Sequence, residues 1–473
     1  MSAPDHQRLK NLPAVETLLQ DPAVARLADD VPRRVLVECV RRAVDSLRGE
    51  LIEGRVGVED ASSDADALRQ ILVERIRAQA AAATKPYYQK VINATGIILH
   101  TGLGRAVLPA VALARFQEEL GGYSLLQTDL ETGRRSRRDA PIERLLQTLT
   151  GAEAATVVNN NAAATMIVLN TIGQGREVIV SRGQLVEIGG SFRLPDVMAK
   201  SGVRMVEVGT TNKTHARDYE AAITDATAAI MRVHPSNYKI SGFTSEVPLD
   251  TLVEIAHRHG LPLIDDVGAG SLVDFSQFGF EPEPTLGESI RAGADIVTSS
   301  GDKLIGATQA GIILGRADLV EAVRKNPLAR IVRVDKLTLS ALEATLSLFL
   351  DETTALAEVP TLAMLRRGPD DVGRQAERIA EAVLRAVPGA GVTVVDGCSQ
   401  MGSGSLPTQN LPTRLVTLDP PDGSADGLAL ALRGCRPPVF ARIQKDQILI
   451  DPRTVLDGEE PLLVEAIVRS LRP

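Results

Sequence analysis

The stretch Ala294–Lys303 reads ADIVTSSGDK and decides the fold class that we expect. Its apolar, β-branched start predicts a strand, and small hydroxyl residues end that strand just before a lysine. A lysine in this position can form a Schiff base with an aldehyde, and Ser300, three residues earlier, can donate a hydrogen bond to a phosphate. Taken alone, the pattern fits a solvated lysine after a strand at least as well.

Two adjacent acids, Asp265 and Asp266, end an apolar strand upstream, in the stretch LPLIDDVG at residues 261–268. A buried acid there can pair with a protonated pyridine nitrogen, which keeps the ring an electron sink. We favour Asp266 for this role and keep Asp265 as the alternative. Both acids could instead cap a helix or close a turn.

A third motif, VVNNNAAA at residues 157–164, joins a predicted strand to a predicted helix. The helix start leaves free N–H groups around Asn160, Asn161 and Ala162, where a phosphate can bind, although the asparagines could simply cap the helix. Phosphate-binding turn, strand-end aspartate and lysine occur in the chain order of fold-type I pyridoxal-phosphate (PLP) enzymes. The joint pattern predicts a PLP enzyme with Lys303 as its Schiff-base residue.

Alternating strands and helices between residues 85 and 351 predict an α/β domain around a mainly parallel, seven-stranded sheet. We expect three domains: a helical domain at residues 1–66, the PLP-binding domain with a leading helix at 67–351, and a small α+β domain at 352–473. Residues 54–66, rich in Gly, Ser and Asp, are typical of a hinge.

Composition limits the class of protein. The 473 residues are 44% hydrophobic and 24% charged, as in a globular protein of more than one domain. The net charge of -8 restricts any nucleic-acid contact to a local basic region.

Met1–Lys10 lacks a secretory apolar segment and no long apolar run predicts a membrane span, so we expect a soluble cytoplasmic protein. Cys39, Cys398 and Cys435 lack metal-ligand spacing, and no metal is expected.

Several motifs make the chain similar to the bacterial selenocysteine synthase family, the L-seryl-tRNA(Sec) selenium transferases. They are VINATGIILHTGLGR at residues 91–105, VNNNA at 158–162, SRGQLVEIGGSFR at 181–193, HPSN at 234–237 and SSGDK at 299–303. The similarity covers nearly the whole chain. One departure is DVGAG at residues 266–270, where the family commonly has DLGSG, so Asp266 stays but a neighbouring hydroxyl is missing.

This resemblance implies a reaction in which serine esterified to its tRNA loses its β-hydroxyl in a PLP-dependent elimination. Selenium from selenophosphate then adds to the dehydroalanyl intermediate. The resemblance also implies Lys303 as the proton shuttle, Asp302 as a general acid for the hydroxyl, and His234 either near the cofactor ring or as a structural histidine. The family's anion-binding arginines correspond to Arg105, Arg330 and Arg333.

The N-terminal helical unit is basic and is our expected tRNA-binding region, through phosphate attraction. Its candidate contacts are Arg33, Arg34, Arg41 and Arg42. The alternative is an oligomer-packing helix with a solvated basic face. A second basic run, Arg134–Arg138, fits either an RNA contact or the active-site mouth. The resemblance further implies a homo-oligomer, a ring of dimers that forms a decamer.

One rival is a PLP lyase or aldolase acting on a free small amino acid or an amino sugar phosphate. Such an enzyme needs no basic N-terminal unit, and Arg442 and Arg453 could bind its substrate's free carboxylate. A tRNA-binding protein with a non-catalytic core is disfavoured, because Lys303 and Asp266 are both present.

Overall fold

The computed structural model describes residues 9, 11–53, 65–190 and 192–472, without the side chains of residues 407 and 408. The chain divides into two compact units, Met1–Lys90 and Val91–Pro473. The predicted hinge at residues 54–66 lies almost wholly outside the described residues. The division into three domains remains a prediction, and the helix that we expected to lead into the second domain packs within the first unit.

The first unit is helical. A long amphipathic helix buries side chains at three- and four-residue spacing against the next helix, which explains why both form. Arg75 on the helix Ala65–Thr84 makes a bidentate ion pair with Glu50 on the long helix Arg33–Glu53, with N–O distances of 2.8 and 2.7 Å. The helices are Val15–Leu19, Pro22–Ala25, Arg33–Glu53 and Ala65–Thr84.

The second unit contains the strands, which we number in chain order. They are β1 (Ile92–Asn93), β2 (Ala154–Val158), β3 (Glu177–Ser181), β4 (Glu187–Ile188), β5 (Phe192–Arg193), β6 (Arg204–Val208), β7 (Thr227–Val233), β8 (Leu263–Gly268), β9 (Ile296–Ser300), β10 (Gly311–Gly315), β11 (Val392–Gly402), β12 (Ser405–Leu418), β13 (Val439–Phe440), β14 (Arg442–Gln444) and β15 (Gln447–Ile450).

Its central sheet has seven strands in the order β2-β10-β9-β8-β7-β3-β6. Only β10 runs against its neighbours, so the sheet is mainly parallel, as predicted. Successive residues of β3 face opposite sides: Val178 and Val180 enter one apolar cluster and Ile179 the other. Both faces are therefore covered, and the carboxyl ends of β2, β7, β8 and β9 meet at one edge of the sheet.

Helices alternate with these strands and continue into the C-terminal part of the unit. They are Ala110–Glu119, Ala140–Thr150, Asn161–Gly173, Leu194–Ser201, Ala216–Ala222, Leu249–Arg258, Leu286–Arg291, Ala317–Lys325, Leu328–Ile331, Lys336–Leu348, Glu352–Glu358, Pro360–Arg366, Pro369–Ala386, Ala425–Arg433 and Glu460–Leu471. Within the described ranges, no helix is both long and apolar enough to cross a membrane.

The C-terminal part carries a four-stranded antiparallel sheet in the order β11-β12-β15-β14. Strands β11 and β12 form a long antiparallel hairpin. β14 pairs with β15 in a short antiparallel hairpin, whereas β13 pairs in parallel with β1. This two-residue bridge joins chain segments that are remote in sequence, and no local pattern predicts it.

Candidate active site

Lys303 lies in a tightly folded loop that follows β9. The Gly301 amide donates to the Ala310 carbonyl at 2.8 Å, and the Ala307 amide donates to the Gly301 carbonyl at 2.9 Å. A side chain at Gly301 would place its Cβ only 2.8 Å from the Thr308 carbonyl oxygen, so the closure needs glycine. The loop fixes Lys303 at the carboxyl edge of the sheet with 6% of its surface exposed. The solvated-lysine alternative is thereby excluded.

The Lys303 amine has charged neighbours of both signs. Burial lowers its pKa, and the Arg105 guanidinium lowers it further, against the opposing effects of Asp302 and Asp266. Arg105 donates a hydrogen bond from NH1 to Asp302 Oδ2 at 2.8 Å. The HTGLGR turn positions Arg105, whose own φ of 63° lies in the left-handed region. The structure thus brings together Arg105, Asp302 and Lys303, three residues that the sequence singled out.

Asp266 is 3% exposed at the end of β8, the strand next to β9. Its Oδ1 accepts hydrogen bonds from Asn161 Nδ2 at 2.9 Å and from the Gly268 amide at 3.0 Å, and its Oδ2 accepts one from Thr165 Oγ1 at 2.9 Å. Burial raises the pKa of this carboxyl, while the hydrogen bonds from Asn161 and Thr165 oppose that rise. Asp266 is therefore a buried acid held in one orientation.

Asp265 is engaged elsewhere. Because successive strand residues point to opposite faces, its side chain lies across the sheet from that of Asp266. It is fully buried, accepts a hydrogen bond from Arg232 NH1 at 3.0 Å, and accepts another from Ser289 Oγ at 2.7 Å. Asp265 thus has an ion-pairing role within the structure, which leaves Asp266 as the acid on the lysine side.

The helix Asn161–Gly173 begins at the same edge of the sheet. The Asn160 side chain caps it by accepting a hydrogen bond from the Ala163 amide at 2.9 Å. A Cβ at Gly311 would lie 2.1 Å from the Asn160 carbonyl oxygen, and Gly311 is the ladder partner of Ser300. The helix start therefore lies close to the strand end that carries Ser300.

Three buried polar atoms near this edge of the sheet or in the segment that leads to Arg105 have no hydrogen-bond partner in the part of the chain that the structure describes. Asn161 Oδ1, Ser236 Oγ and His100 Nδ1 are inaccessible and have no hydrogen-bond partner among the described residues. Ser236 lies against the end of β8, since a Cβ at Gly268 would be 3.4 Å from its hydroxyl oxygen. Unsatisfied buried polar groups cost free energy, so Asn161 and Ser236, which both lie beside the end of β8, fit a site that a polar cofactor such as PLP completes.

His234 follows β7 and donates its backbone amide to the Asp266 carbonyl at 2.9 Å. Its ring Nε2 lies 3.0 Å from Glu283 Oε2. His234 is thus at the same edge of the sheet as Asp266, and its ring is oriented by a carboxylate that the sequence did not reveal. Its place near the cofactor ring stays a prediction.

The remaining anion-site candidates lie in a different cationic cluster. Arg330 and Arg333 are exposed, and each makes no ion pair with a described residue. Their positive charges, after burial itself, lower the pKa of the neighbouring Arg138. No described contact joins them to Arg105, so within this single chain the three predicted arginines divide between two places.

The predicted tRNA contacts are all exposed on the helix Arg33–Glu53. Arg42 forms an ion pair with Glu38 at 3.0 Å, whereas Arg33, Arg34 and Arg41 form none with described residues. Arg34 and Arg41 are seven residues apart and therefore share one face of the helix.

Arg453 does not present free donors to a substrate. It is 1% exposed, and its guanidinium donates to Ser399 Oγ at 2.9 Å and to the carbonyls of Met364 and Pro412 at 2.9 and 2.6 Å. Arg442 donates to the Cys398 carbonyl at 3.1 Å and lies near buried Asp451. The carboxylate-binding role considered for the rival lyase therefore has no support at Arg453.

Two residues that contact the candidate site residues, Thr165 and Glu283, were not predicted from the sequence. Thr165 lies four residues after Asn161, on the same face of the helix, and this spacing was the available signal. Glu283 offered no signal, because it comes from a stretch without periodicity.

A buried lysine after one strand, a buried aspartate at the end of the next and a helix start beside Ser300 together define a fold-type I PLP-dependent enzyme. Comparison with known proteins narrows the class. The profile described as L-seryl-tRNA selenium transferase matches residues 91–456, and one described as selenocysteine synthase N terminal matches residues 9–48. The chain belongs to the L-seryl-tRNA selenium transferase family, and PLP is its cofactor.

Relatives match the chain from end to end. The L-seryl-tRNA(Sec) selenium transferase of Solidesulfovibrio magneticus is 48% identical over 96% of this chain and 97% of its own length. The enzyme of the same name from Moorella thermoacetica is 46% identical over 98% of this chain and 97% of its own.

A solved structure shares the fold at lower similarity. D-glucosaminate-6-phosphate ammonia-lyase superposes with a TM-score of 0.57 at 22% identity, over 81% of this chain and 96% of that one. This likeness supports the predicted α/β fold and says nothing about the substrate.

Proposed function

We propose that this chain converts seryl-tRNA(Sec) to selenocysteinyl-tRNA(Sec), with selenophosphate as the selenium donor and PLP as the cofactor. The observation that carries the proposal is the buried Lys303 amine beside the Arg105–Asp302 pair and in the field of Asp266. Relatives 48% and 46% identical along nearly their whole length bear the name of this reaction.

The residues at this edge of the sheet suit the parts of PLP. Lys303 would hold the aldehyde carbon as a Schiff base, and Asp266 would accept a hydrogen bond from the protonated ring nitrogen. The phosphate would bind Ser300 Oγ and the backbone N–H groups at Asn161 and Ala162. Asn160 contributes by capping that helix, and His234 would lie near the ring, oriented by its carboxylate partner.

When bound, PLP supplies an electron sink that stabilises negative charge at the Cα of the seryl group. Lys303 accepts the Cα proton, because burial and the nearby guanidinium favour its neutral amine. Asp302 then carries a proton from Lys303 to the β-hydroxyl, which leaves as water. Arg105 holds the Asp302 carboxylate in place for this transfer.

Selenophosphate is a small, dense anion and needs clustered cations. We assign its binding to Arg105, Arg330 and Arg333, which would meet at one anion only across two subunits of the proposed oligomer, because no described contact joins them within one chain. Arg330 and Arg333 are exposed without ion-pair partners among the described residues, so their guanidinium donors are free for a ligand.

We assign tRNA binding to the first unit. The arginines of the helix Arg33–Glu53 project into solvent, where they can neutralise phosphates without reading bases. The free charges of Arg34 and Arg41, on one face of that helix, are the strongest support, with Arg33 and Arg42 beside them. The substrate places the reaction in the cytoplasm.

We further propose a ring of dimers, a decamer by family resemblance. Several large apolar side chains on the second unit are exposed to solvent, although a soluble monomer would bury them. They are Tyr123, Leu125, Leu130 and Phe243. Native mass spectrometry at working concentration tests the assembly: a decamer mass supports it, and a stable monomer contradicts it.

The deciding experiment offers seryl-tRNA(Sec) and free serine separately to the holoenzyme and follows the cofactor's visible absorbance. Seryl-tRNA(Sec) should perturb the spectrum and free serine should not. A response to free serine alone would favour a lyase that acts on small amino acids.

A further inference from the structure

The first turn of the helix Asn161–Gly173 holds the Asp266 carboxylate from two sides. Asn161 and Thr165 lie four residues apart, so their side chains point in the same direction. One amide N–H reaches Oδ1 and one hydroxyl reaches Oδ2, each at 2.9 Å. The helix that starts at the phosphate site therefore also fixes the acid opposite the lysine.

Of these two contacts, the one from Thr165 is the more specific for the ionised form of Asp266. Its side chain is fully buried, and its single hydroxyl proton lies within reach of two acceptors, Asp266 Oδ2 at 2.9 Å and the Asn161 carbonyl at 3.0 Å. A charged acceptor binds a proton more strongly than a neutral carbonyl, so the hydroxyl favours the ionised carboxylate. Without it, Oδ2 would lose a buried donor.

We propose that Thr165 is a positioning residue, which together with Asn161 keeps Asp266 ionised and aimed at the ring nitrogen of PLP. Burial by itself raises the pKa of Asp266, and the hydrogen bonds from these two donors act to lower it. A protonated Asp266 would no longer accept the ring N–H, and the ring would then be a weaker electron sink. The inference rests on the proposed pairing of Asp266 with that nitrogen.

The test compares two cofactors on the apoenzyme, PLP and its carbocyclic analogue in which a C–H replaces the ring nitrogen. Dissociation constants are measured by cofactor fluorescence, so no activity is needed. Wild type should prefer PLP. Thr165→Val should reduce this preference by about tenfold, the scale of one buried hydrogen bond to a charged group. Thr165→Ser, which keeps the hydroxyl, should restore it.

A matched control is Thr345→Val. Thr345 is also fully buried in a helix, but its hydroxyl donates only to the Ala341 carbonyl at 2.8 Å, so the preference should stay at the wild-type value. If Thr165→Val does not fold by circular dichroism, Thr165→Ala removes the same hydroxyl.

The possible results distinguish a failure of the Thr165 inference from a failure of the proposed pairing between Asp266 and the ring nitrogen. If Thr165→Val weakens both cofactors equally, or neither, Thr165 is merely structural and the inference is wrong. If wild type itself shows no preference for PLP over the analogue, the pairing of Asp266 with the ring nitrogen is wrong.

Discussion

The guanidinium of Arg105 donates a hydrogen bond to the carboxylate of Asp302 at 2.8 Å, one residue before the buried lysine. The two residues come from distant parts of the chain and meet at the edge where the strands end. Side-chain exposures of 32% for Arg105 and 10% for Asp302 show that the pair is partly open to solvent. A substrate that approaches the Lys303 amine from solvent would meet this pair.

Arg105→Gln should shift PLP capture by the apoenzyme to higher pH. Only a neutral amine attacks an aldehyde, and burial together with Arg105 lowers the pKa of Lys303. Removing the cation raises that pKa, so the neutral fraction at a given pH falls. The midpoint of the capture rate against pH should therefore rise.

Arg115→Gln is the control for this prediction, because Arg115 pairs with Glu343 on an exposed surface. Its pH profile should match that of wild type. A midpoint that is unchanged or lower in Arg105→Gln would contradict the assigned effect on Lys303.

Asp266→Asn should stabilise the apoenzyme at neutral pH while weakening PLP binding. Because burial raises the pKa of Asp266, the folded state holds this proton more tightly than the unfolded state. Stability from this group therefore increases as pH falls through the folded pKa, and the ionised form is destabilising above it. The variant's melting temperature should exceed that of wild type by about 2 °C at about pH 8.

The same difference should shrink at acidic pH, as the wild-type carboxyl gains a proton. Differential scanning fluorimetry of both apoenzymes at the two pH values checks the prediction. A variant less stable than wild type at both values would show that the ionised carboxylate stabilises the fold.

Arg330→Ala and Arg333→Ala should each impair selenium addition more than elimination. Each substitution removes one charge-assisted contact to selenophosphate, worth about 1.5–3 kcal/mol. The KM for selenophosphate should therefore rise by at least about tenfold. Elimination is followed separately by the cofactor spectrum with seryl-tRNA(Sec). Arg217→Ala, at an 82% exposed side chain, is the control. Equal loss of both steps would argue against an anion site.

Arg34→Ala together with Arg41→Ala should weaken tRNA binding and flatten its salt dependence. Each phosphate contact contributes about 0.7–0.9 to the slope of log K against log salt, so the slope should fall by roughly 1.5. Arg48→Ala is the control, because Arg48 is paired with Asp45 at 2.8 Å. An unchanged slope in filter-binding titrations would show that this helix face does not contact tRNA.

The sequence predicted the central sheet well because its strands are buried on both faces and stand out as short apolar runs. It also singled out Lys303 and Asp266 as candidates, since both follow such runs directly, and the structure shows that both are buried. The choice between Asp266 and Asp265 needed the structure to show which partners lie on each face of β8.

Other features depend on contacts between distant segments. The hydroxyl of Thr165 meets Asp266 across 101 positions of sequence, and β1 pairs with β13 across more than three hundred. The buried Arg453 was interpreted from the sequence as a possible substrate contact, and only its saturated donors show otherwise. Periodicity reports which face is buried but not which residues meet there.

Borohydride reduction of the holoenzyme, followed by peptide mass spectrometry, tests the central claim most directly. Reduction turns a Schiff base into a stable secondary amine, which marks the lysine that holds the cofactor. We predict a single pyridoxyl-phosphate adduct on the peptide that contains Lys303. An adduct on another lysine, or none on PLP-saturated protein, would contradict the account.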